Sequence, residues 1–207
     1  WMMLRGGRYE WTSELGQWLA VWSETARDEM DRYADGLGEQ RSVVTRALAP
    51  TGTISICAET TSGIEPVFCS AYKRTYLKGG QRFFQYVVDP TVKRLLDLGF
   101  PDKEIEDAYD LSTDIDRRLS FQGSVQRYVD QAISSTVNLP TFGSPGNSNP
   151  KRFRDTMAAH LPYLKGITSY PDGARNGQPL VRVSLDEARS KSGVVYEATP
   201  DLCIGGV

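Results

Sequence analysis

The sequence has few of the residues that form disulfides or bind metal ions. It contains three cysteines and one histidine among 207 residues. Cys57, Cys69 and Cys203 form no close-spaced pattern, so a disulfide framework is not expected and a reducing cytoplasm fits the chain better. His160 lies on a predicted helix with no cysteine or carboxylate at ligand spacing, so no metal site is predicted.

The sequence also has no strong excess of one charge and no long apolar run. Its formal net charge is −2, which gives no basic surplus for binding nucleic acid directly. No apolar run approaches the roughly 18 residues of a membrane helix, and no signal peptide is recognisable. The 40% apolar and 24% charged residues are typical of a globular chain. We therefore expect a cytoplasmic globular protein.

The two ends of the sequence indicate a piece of a longer protein. The chain starts at Trp1, not at a methionine, and it ends on the small-residue stretch Cys203–Val207. We expect a fragment, with Met2 or Met3 as the alternative true start of a small complete protein.

Helical periodicity and short apolar runs alternate along the chain. Apolar residues at steps of three and four predict a first helix from Trp11 to Tyr33, ended by Gly36 and Gly38. Its three tryptophans are expected in the core, with a ligand-stacking face as the alternative. This alternation predicts an α/β fold with some parallel strand pairing. Strands are predicted at Ser42–Leu48, Phe83–Val88, Thr136–Pro140 and Ile167–Tyr170, and further helices from Asp89 to Gly99, at Asp102–Tyr109, Ser120–Ser135 and Phe153–Leu164.

One segment, 50–55, is a candidate phosphate-binding loop. It follows a predicted strand, contains a glycine that lets a ligand approach the backbone, and carries three hydroxyl groups. Free backbone N–H groups at the start of a helix bind anions well. The alternative is an ordinary turn capped by Thr51 or Thr53. The candidate residues are Pro50, Thr51, Gly52, Thr53, Ile54 and Ser55.

Three further segments resemble the catalytic subunit of ribonucleotide reductase, most closely the vitamin B12-dependent class. They are Glu59–Phe68, Val125–Pro140 and Leu164–Arg175, and the resemblance extends roughly from Leu48 to Val183. It implies the C-terminal portion of a ten-stranded α/β barrel built from two parallel five-stranded halves. Residues 1–185 are then expected in the barrel domain and residues 186–207 in a flexible tail.

The resemblance also implies a reaction, the radical reduction of ribonucleotides to 2′-deoxyribonucleotides. The 50–55 loop is expected to hold the di- or triphosphate of the substrate, mainly through N–H groups, helped by the hydroxyls of Thr51, Thr53 and Ser55. In the two-subunit classes an adjacent tyrosine pair relays the radical, and Tyr170 and Pro171 align with it. Proline has no phenol, so adenosylcobalamin is the implied radical source, and Tyr170 is expected to be an ordinary core residue.

The radical cysteine and glutamate of the family lie in an Asn-Pro-Cys-x-Glu-type segment that this sequence lacks. The chain alone is therefore expected to be inactive and to need a complementary N-terminal reductase portion. Cys203 is either half of a redox shuttle, re-reduced by a thioredoxin-like protein, or an incidental thiol. Two alternatives stay open, a catalytically incomplete nucleotide-binding module and a barrel fragment that binds a partner protein. A large exposed apolar edge would favour the reductase.

Several other side chains have simpler expected roles. Cys57 and Cys69 are flanked by apolar residues and are expected to be buried, inert thiols. Glu65 is expected to order the loop by accepting N–H bonds. A basic group after the loop is either a solvated face or a steering element for polyphosphate; it consists of Lys73, Arg74 and Lys78.

Overall fold

The computed structural model describes residues 1–144, 147, 149–172, 174 and 180–198, which form a mixed α/β fold. Short 3₁₀ turns occupy Met2–Arg5, Asp102–Glu104, Asp110–Thr113 and Leu161–Tyr163. The helices are α1 (Ser13–Leu37), α2 (Gly52–Cys57), α3 (Pro90–Asp97), α4 (Ile115–Gln126), α5 (Pro150–His160) and α6 (Leu185–Ser190). The strands are β1 (Ala71–Lys78), β2 (Gln81–Val88), β3 (Thr136–Leu139), β4 (Thr168–Pro171), β5 (Leu180–Arg182) and β6 (Val195–Glu197).

Helix α1 confirms the first predicted helix, and Trp11, just before it, packs against the core as predicted. The side chain of Thr12 accepts a hydrogen bond from the N–H of Leu15, and Gly38 ends the helix in the left-handed conformation. Trp18 and Trp22 are nonetheless 51% and 56% exposed. The expectation that they lie in the core is wrong for this chain, because its described residues cover the start of α1 and leave these later turns open.

Helix α4 separates two apolar clusters that hold the fold together. On one side Phe121 and Val125 join the larger cluster, which includes Tyr9, Leu95 and Leu111. On the other side a smaller cluster centres on three buried residues, Leu119, Val137 and Leu139. Burial of each such aliphatic or aromatic side chain contributes about 1.5–3 kcal/mol. Strand β3, which leads away from the candidate site, is thereby fixed against α4.

A parallel pair and an antiparallel sheet make up the β structure. Strand β3 pairs with β4 in parallel, in the register Thr136↔Thr168 to Leu139↔Pro171, and α5 lies between them in the chain. This confirms the predicted parallel pairing. The other sheet has the order β5-β1-β2-β6, and its neighbouring strands are antiparallel. Strand β1, which was not predicted, joins β2 through Gly79 and Gly80, both with positive φ as a tight hairpin turn requires.

Three predicted elements differ from the structure. In the predicted strand Ser42–Leu48, Leu48 makes one isolated bridge to Ile133, because the rest of the segment has no strand beside it in the described chain. The predicted helix Asp102–Tyr109 contains one 3₁₀ turn. There the carboxylate of Asp107 accepts the N–H groups of Tyr109 and Asp110, which stabilises a turn in place of helix.

The third difference concerns the predicted helix Ser120–Ser135. Helix α4 starts earlier, where Asp114 accepts the N–H of Arg117, and it ends at Gln126. The amide of Gln126 donates to the carbonyls of Val129 and Gln131 at 2.9 and 2.8 Å. These side-chain bonds replace the helical ones and allow the chain to extend towards β3.

The structure agrees only in part with the expected barrel and tail. The described residues form an open arrangement of two sheets, and the ten-stranded closed barrel stays a prediction. Residues 186–198, expected in a flexible tail, instead contain most of α6 and all of β6. Ala188 is fully buried and β6 pairs with β2, and the division of the chain at residue 185 stays a prediction. Cys203 lies outside the described residues. Among the described helices, none has the length and apolarity to cross a membrane.

Candidate functional site

The 50–55 segment forms a turn followed at once by helix α2. Thr51 has φ 46° and ψ 20°, a left-handed conformation that costs a residue other than glycine about 1–2 kcal/mol. The carbonyl of Thr51 accepts the N–H of Ser55 at 2.8 Å. The earlier N–H groups, from Gly52 to Ile54, lie in the first helical turn, where geometry gives them no intrahelical acceptor. These groups suit an anion.

The space in front of this turn is open. A Cβ atom built on Gly52 meets no heavy atom within 4 Å, and Gly52, Thr53 and Ile54 are exposed. The predicted turn into a helix is thus present, although the strand predicted before it is not. The backbone is free to receive a ligand at this point.

The three hydroxyl groups of the loop have different surroundings. The Ser55 hydroxyl is buried, donates to the Gly52 carbonyl at 2.8 Å and lies 2.8 Å from the Ser62 hydroxyl. The Thr51 hydroxyl accepts the N–H of Gly63 at 3.1 Å and keeps its own proton for another acceptor. It does not cap α2, so one of the two caps named in the ordinary-turn alternative is absent. Thr53 is exposed.

The segment that contacts the loop, Ser62–Glu65, is itself anchored at several points. Glu65 Oε1 accepts the N–H of Thr136 at 2.6 Å, which confirms that it accepts an N–H bond, although the bond comes from β3 and not from the loop. The carbonyl of Ile64 accepts the hydroxyl of Tyr9 at 2.6 Å. Through these bonds Ser62–Glu65 connects the candidate loop to the start of β3.

A buried arginine, Arg118, underlies this connection. It is 3% exposed and donates to the hydroxyl of Tyr9, to Ser135 Oγ at 2.7 Å and to the Thr136 carbonyl at 3.2 Å. Burial raises the pKa of Tyr9, Arg118 opposes that shift and Glu65 adds to it, so Tyr9 remains a neutral donor. Sequence reasoning missed Arg118 because its partners are distant in the chain and α4 shows no local sign of them.

The chain that enters the loop is held by Asp130. Its Oδ2 accepts the N–H groups of Thr45 and Arg46 at 2.9 and 3.2 Å, and its Oδ1 lies 2.9 Å from Arg46 Nη2. The bonds from Thr45, followed by the charge of Arg46, lower the pKa of Asp130 to about 2. Two backbone bonds, Gln131 N–H to Arg46 and Ser134 N–H to Leu48, continue this attachment towards the loop.

The basic residues that follow the loop, expected either as a solvated face or as a steering element, lie on β1. Lys73 is 5.4 Å from the centre of the Phe84 ring, and the Arg74 guanidinium is 5.8 Å from that of Tyr76. A different residue, Arg94, reaches the chain just after α2, where its Nη2 lies 2.9 Å from Glu59 Oε2. The steering of polyphosphate by Lys73, Arg74 or Lys78 stays a prediction.

The two described cysteines differ from one another. Cys69 is buried, as predicted, and donates to the Ala71 carbonyl at 3.2 Å. Burial, followed by the nearby charge of Asp107, raises the pKa of its thiol to about 12, which makes it unreactive at neutral pH. Cys57 is exposed. The prediction that it is buried is wrong, because among the residues of α2 only Ser55 is buried.

Two further residues singled out from the sequence lie away from the loop. His160 Nε2 is 2.8 Å from Asp116 Oδ1. The described residues contain no group of three or more His, Cys, Asp or Glu side chains arranged to hold a metal. Tyr170 lies in β4 and is 36% exposed, so its predicted core position is wrong for this chain. Its neighbour Pro171 is in register with Leu139.

An apolar cleft of about 740 Å³ opens beside the anchored segment. It lies between α1, α4 and the chain near residues 46–48 and 61–65. We call it the tryptophan cleft. Its lining includes Trp18, Trp22, Leu48, Gly63, Phe121 and Tyr128. This exposed apolar surface is the kind of feature that the sequence analysis associated with an incomplete barrel.

Known proteins share this architecture. The family model described as "Ribonucleotide reductase, barrel domain" matches residues 27–170. A vitamin B12-dependent ribonucleoside-diphosphate reductase of Mycobacterium tuberculosis (strain CDC 1551 / Oshkosh) is 33% identical over 166 residues, covering 69% of this chain and 23% of the relative. A protein of the same name from Thermoplasma acidophilum is 26% identical over 178 residues, covering 77% of this chain and 23% of the relative.

A solved structure supports the same fold. The crystal structure of a B12-dependent (class II) ribonucleotide reductase superposes with a TM-score of 0.61 at 13% identity, covering 87% of this chain and 27% of that chain. The chain thus spans less than a third of the length of these proteins.

Proposed function

Because the chain belongs to the ribonucleotide reductase family, we propose that it holds the substrate phosphates in an enzyme that reduces ribonucleotides to 2′-deoxyribonucleotides by a radical mechanism. The observation that carries the proposal is the open helical turn at 50–55, which lies within the matched residues 27–170. The chain spans 23% of the bacterial relative, so the reaction belongs to a larger assembly.

In this proposal the phosphates bind to the backbone of the loop. The N–H groups of Gly52, Thr53 and Ile54 donate to phosphate oxygens, and the partial positive charge of a helix start favours the anion. The exposed hydroxyl of Thr53 adds a donor, whereas the hydroxyl of Thr51 accepts the N–H of Gly63 and is assigned to shaping the turn. The Ser55 hydroxyl already donates within the loop, so it shapes the site and does not contact phosphate. The names of the relatives favour a ribonucleoside diphosphate as substrate.

We propose adenosylcobalamin as the cofactor of the complete enzyme, since the relatives are named as vitamin B12-dependent. When bound, it supplies the radical that starts the reaction. Pro171, which has no phenol, is compatible with a radical that does not arrive through a tyrosine pair.

The proposal also names what the chain needs from elsewhere. The radical cysteine and glutamate come from a complementary N-terminal portion, so the chain alone is inactive. The exposed tryptophan cleft supports such a complement, because large exposed apolar surfaces usually contact another protein surface. A thioredoxin-like reductant with Cys203 as half of the shuttle completes the proposed cycle.

The decisive experiment is Gly52→Val in the complete reductase. The new side chain enters open space, so the fold should survive while the valine blocks phosphate from the N–H groups. We expect kcat/KM for the ribonucleotide to fall about 100-fold, because each hydrogen bond lost to a charged group costs about 1.5–3 kcal/mol. The matched control is Gly36→Val on α1, where a Cβ also meets nothing within 4 Å and activity should persist. An unchanged KM in Gly52→Val would refute the phosphate assignment.

A further inference from the structure

We infer that Ser62 and Gly63 are positioning residues for the phosphate loop, acting through the side chains of Thr51 and Ser55. The inference rests on the proposed function of this loop and adds which residues set its shape. Neither Ser62 nor Gly63 needs to contact the substrate. They control whether the N–H groups of the first turn of α2 point to one common place.

The first observation is the conformation of Thr51. Its φ of 46° is unfavourable for a β-branched residue and persists only where the surroundings enforce it. The N–H of Gly63 donates to Thr51 Oγ1 at 3.1 Å. This bond fixes the side chain and with it the backbone bend that precedes α2.

The second observation is a contact on the opposite side of the same turn. The hydroxyls of Ser62 and Ser55 lie 2.8 Å apart, and Ser55 also donates to the Gly52 carbonyl at 2.8 Å. Adjacent residues of one segment therefore hold the first and the last hydroxyl of the loop. Such paired contacts fix the spacing of the donors between them.

The third observation is that the segment Ser62–Glu65 is attached to the core of the protein. Gly63 itself has a φ of +49°, and a Cβ on it would lie 3.6 Å from the Ala49 carbonyl, which places it against the start of the loop. Glu65 and Ile64 attach the segment to Thr136 and Tyr9. A segment fixed to the core can hold Thr51 in a strained conformation, whereas a mobile loop would move and relieve the strain.

The test separates positioning from direct phosphate contact by comparing replacements of Thr51 in the complete reductase. Thr51→Val removes the acceptor for Gly63 and keeps the unfavourable β-branched shape, so KM for the ribonucleoside diphosphate should rise about tenfold with kcat retained. Thr51→Gly also removes the hydroxyl, but glycine adopts positive φ freely, so KM should stay within about threefold of the wild type. Thr51→Ser should restore near-normal KM.

A second variant and a control complete the design. Ser62→Ala removes the contact to Ser55 with little risk to folding and should raise KM severalfold at constant kcat. Thr113→Val is the matched control, because Thr113 makes its bond to Asp110 in a separate exposed turn and its loss should leave KM unchanged.

Two outcomes would overturn the inference. Equal losses in Thr51→Gly and Thr51→Val would mean that the hydroxyl contacts phosphate directly. Normal KM in both Thr51→Val and Ser62→Ala would mean that the loop keeps its shape without them. Gly52→Val then separates failure of the positioning role from failure of the phosphate site. If Gly52→Val still raises KM, the phosphate site stands and only the positioning role of Ser62 and Gly63 fails.

Discussion

At the residue scale, Asp130 makes the clearest electrostatic contribution to stability. Hydrogen bonds from Thr45 and the charge of Arg46 lower its pKa to about 2. A carboxylate with a depressed pKa in the folded state adds stability above its unfolded pKa of about 3.9. That stability is lost as the pH falls from about 4 towards 2, when Asp130 takes up a proton.

We therefore predict that Asp130→Asn lowers the free energy of unfolding by about 1–2 kcal/mol at pH 7. The deficit relative to wild type should shrink as the pH approaches 2, as measured by urea denaturation across this range. Asp35→Asn is the control, because Asp35 pairs with Arg41 on the exposed surface and such pairs contribute little. A deficit in Asp130→Asn that stays constant down to pH 2 would contradict the electrostatic explanation.

The residue scale also shows how much of the site the sequence could predict. The glycine and the hydroxyls of 50–55 predict an anion site from local chemistry, and that site stays a prediction. The acceptor role of Glu65 was expected from its place after the loop. The contacts of Thr51 with Gly63 and of Arg118 with Tyr9 join residues that no local pattern links. Their roles depend on the folded path of the chain, which one sequence does not reveal.

At the element scale, local signals predicted the helices that have their own capping residues and the strands that have a clear apolar pattern. Helix α3 starts where Asp89 accepts the N–H groups of Thr91 and Val92, and the Asp-Pro sequence signals this directly. Strand β1 was missed because Lys73, Arg74 and Lys78 interrupt its apolar pattern. Its stability comes from pairing with β2 and β5, which is a tertiary effect.

The connection between the loop segment and β3 gives an element-scale prediction. Glu65→Ala leaves the half-buried N–H of Thr136 without its acceptor, so the free energy of unfolding should fall by about 1–3 kcal/mol. Glu65→Gln keeps an acceptor oxygen and should lose less than half of that. Hydrogen exchange measured by NMR should show faster exchange of the Thr136 amide in Glu65→Ala than in Glu65→Gln. Equal protection of this amide in both variants would show that Glu65 does not fix β3.

At the scale of the whole molecule, the described chain has more apolar surface than its own core can cover. Trp18 and Trp22 have rings 5.9 Å apart on a helix whose pattern predicts burial, and both remain about half exposed. The predicted burial of Trp18 and Trp22 is wrong for this chain, and the reason is physical. Helical periodicity indicates that one face of a helix is apolar. It does not indicate which part of a larger protein covers that face.

This surface leads to a prediction about the complete enzyme. Replacing both Trp18 and Trp22 with glutamine, a good helix former, should reduce the binding of a hydrophobic fluorescent dye to the isolated chain. In the complete reductase the same replacements should lower the free energy of unfolding by about 3 kcal/mol or more, as expected for aromatic side chains buried at a contact.

The matched control is Leu77→Thr at the end of the β1–β2 hairpin, a single apolar residue that is 70% exposed and away from the tryptophan cleft. It should change neither dye binding nor stability, because isolated exposed apolar residues are common on protein surfaces. If the tryptophan double variant weakens dye binding to the isolated chain and yet leaves the complete reductase equally stable, the cleft is solvent-facing in the enzyme. The complementary portion must then attach at another surface of the chain.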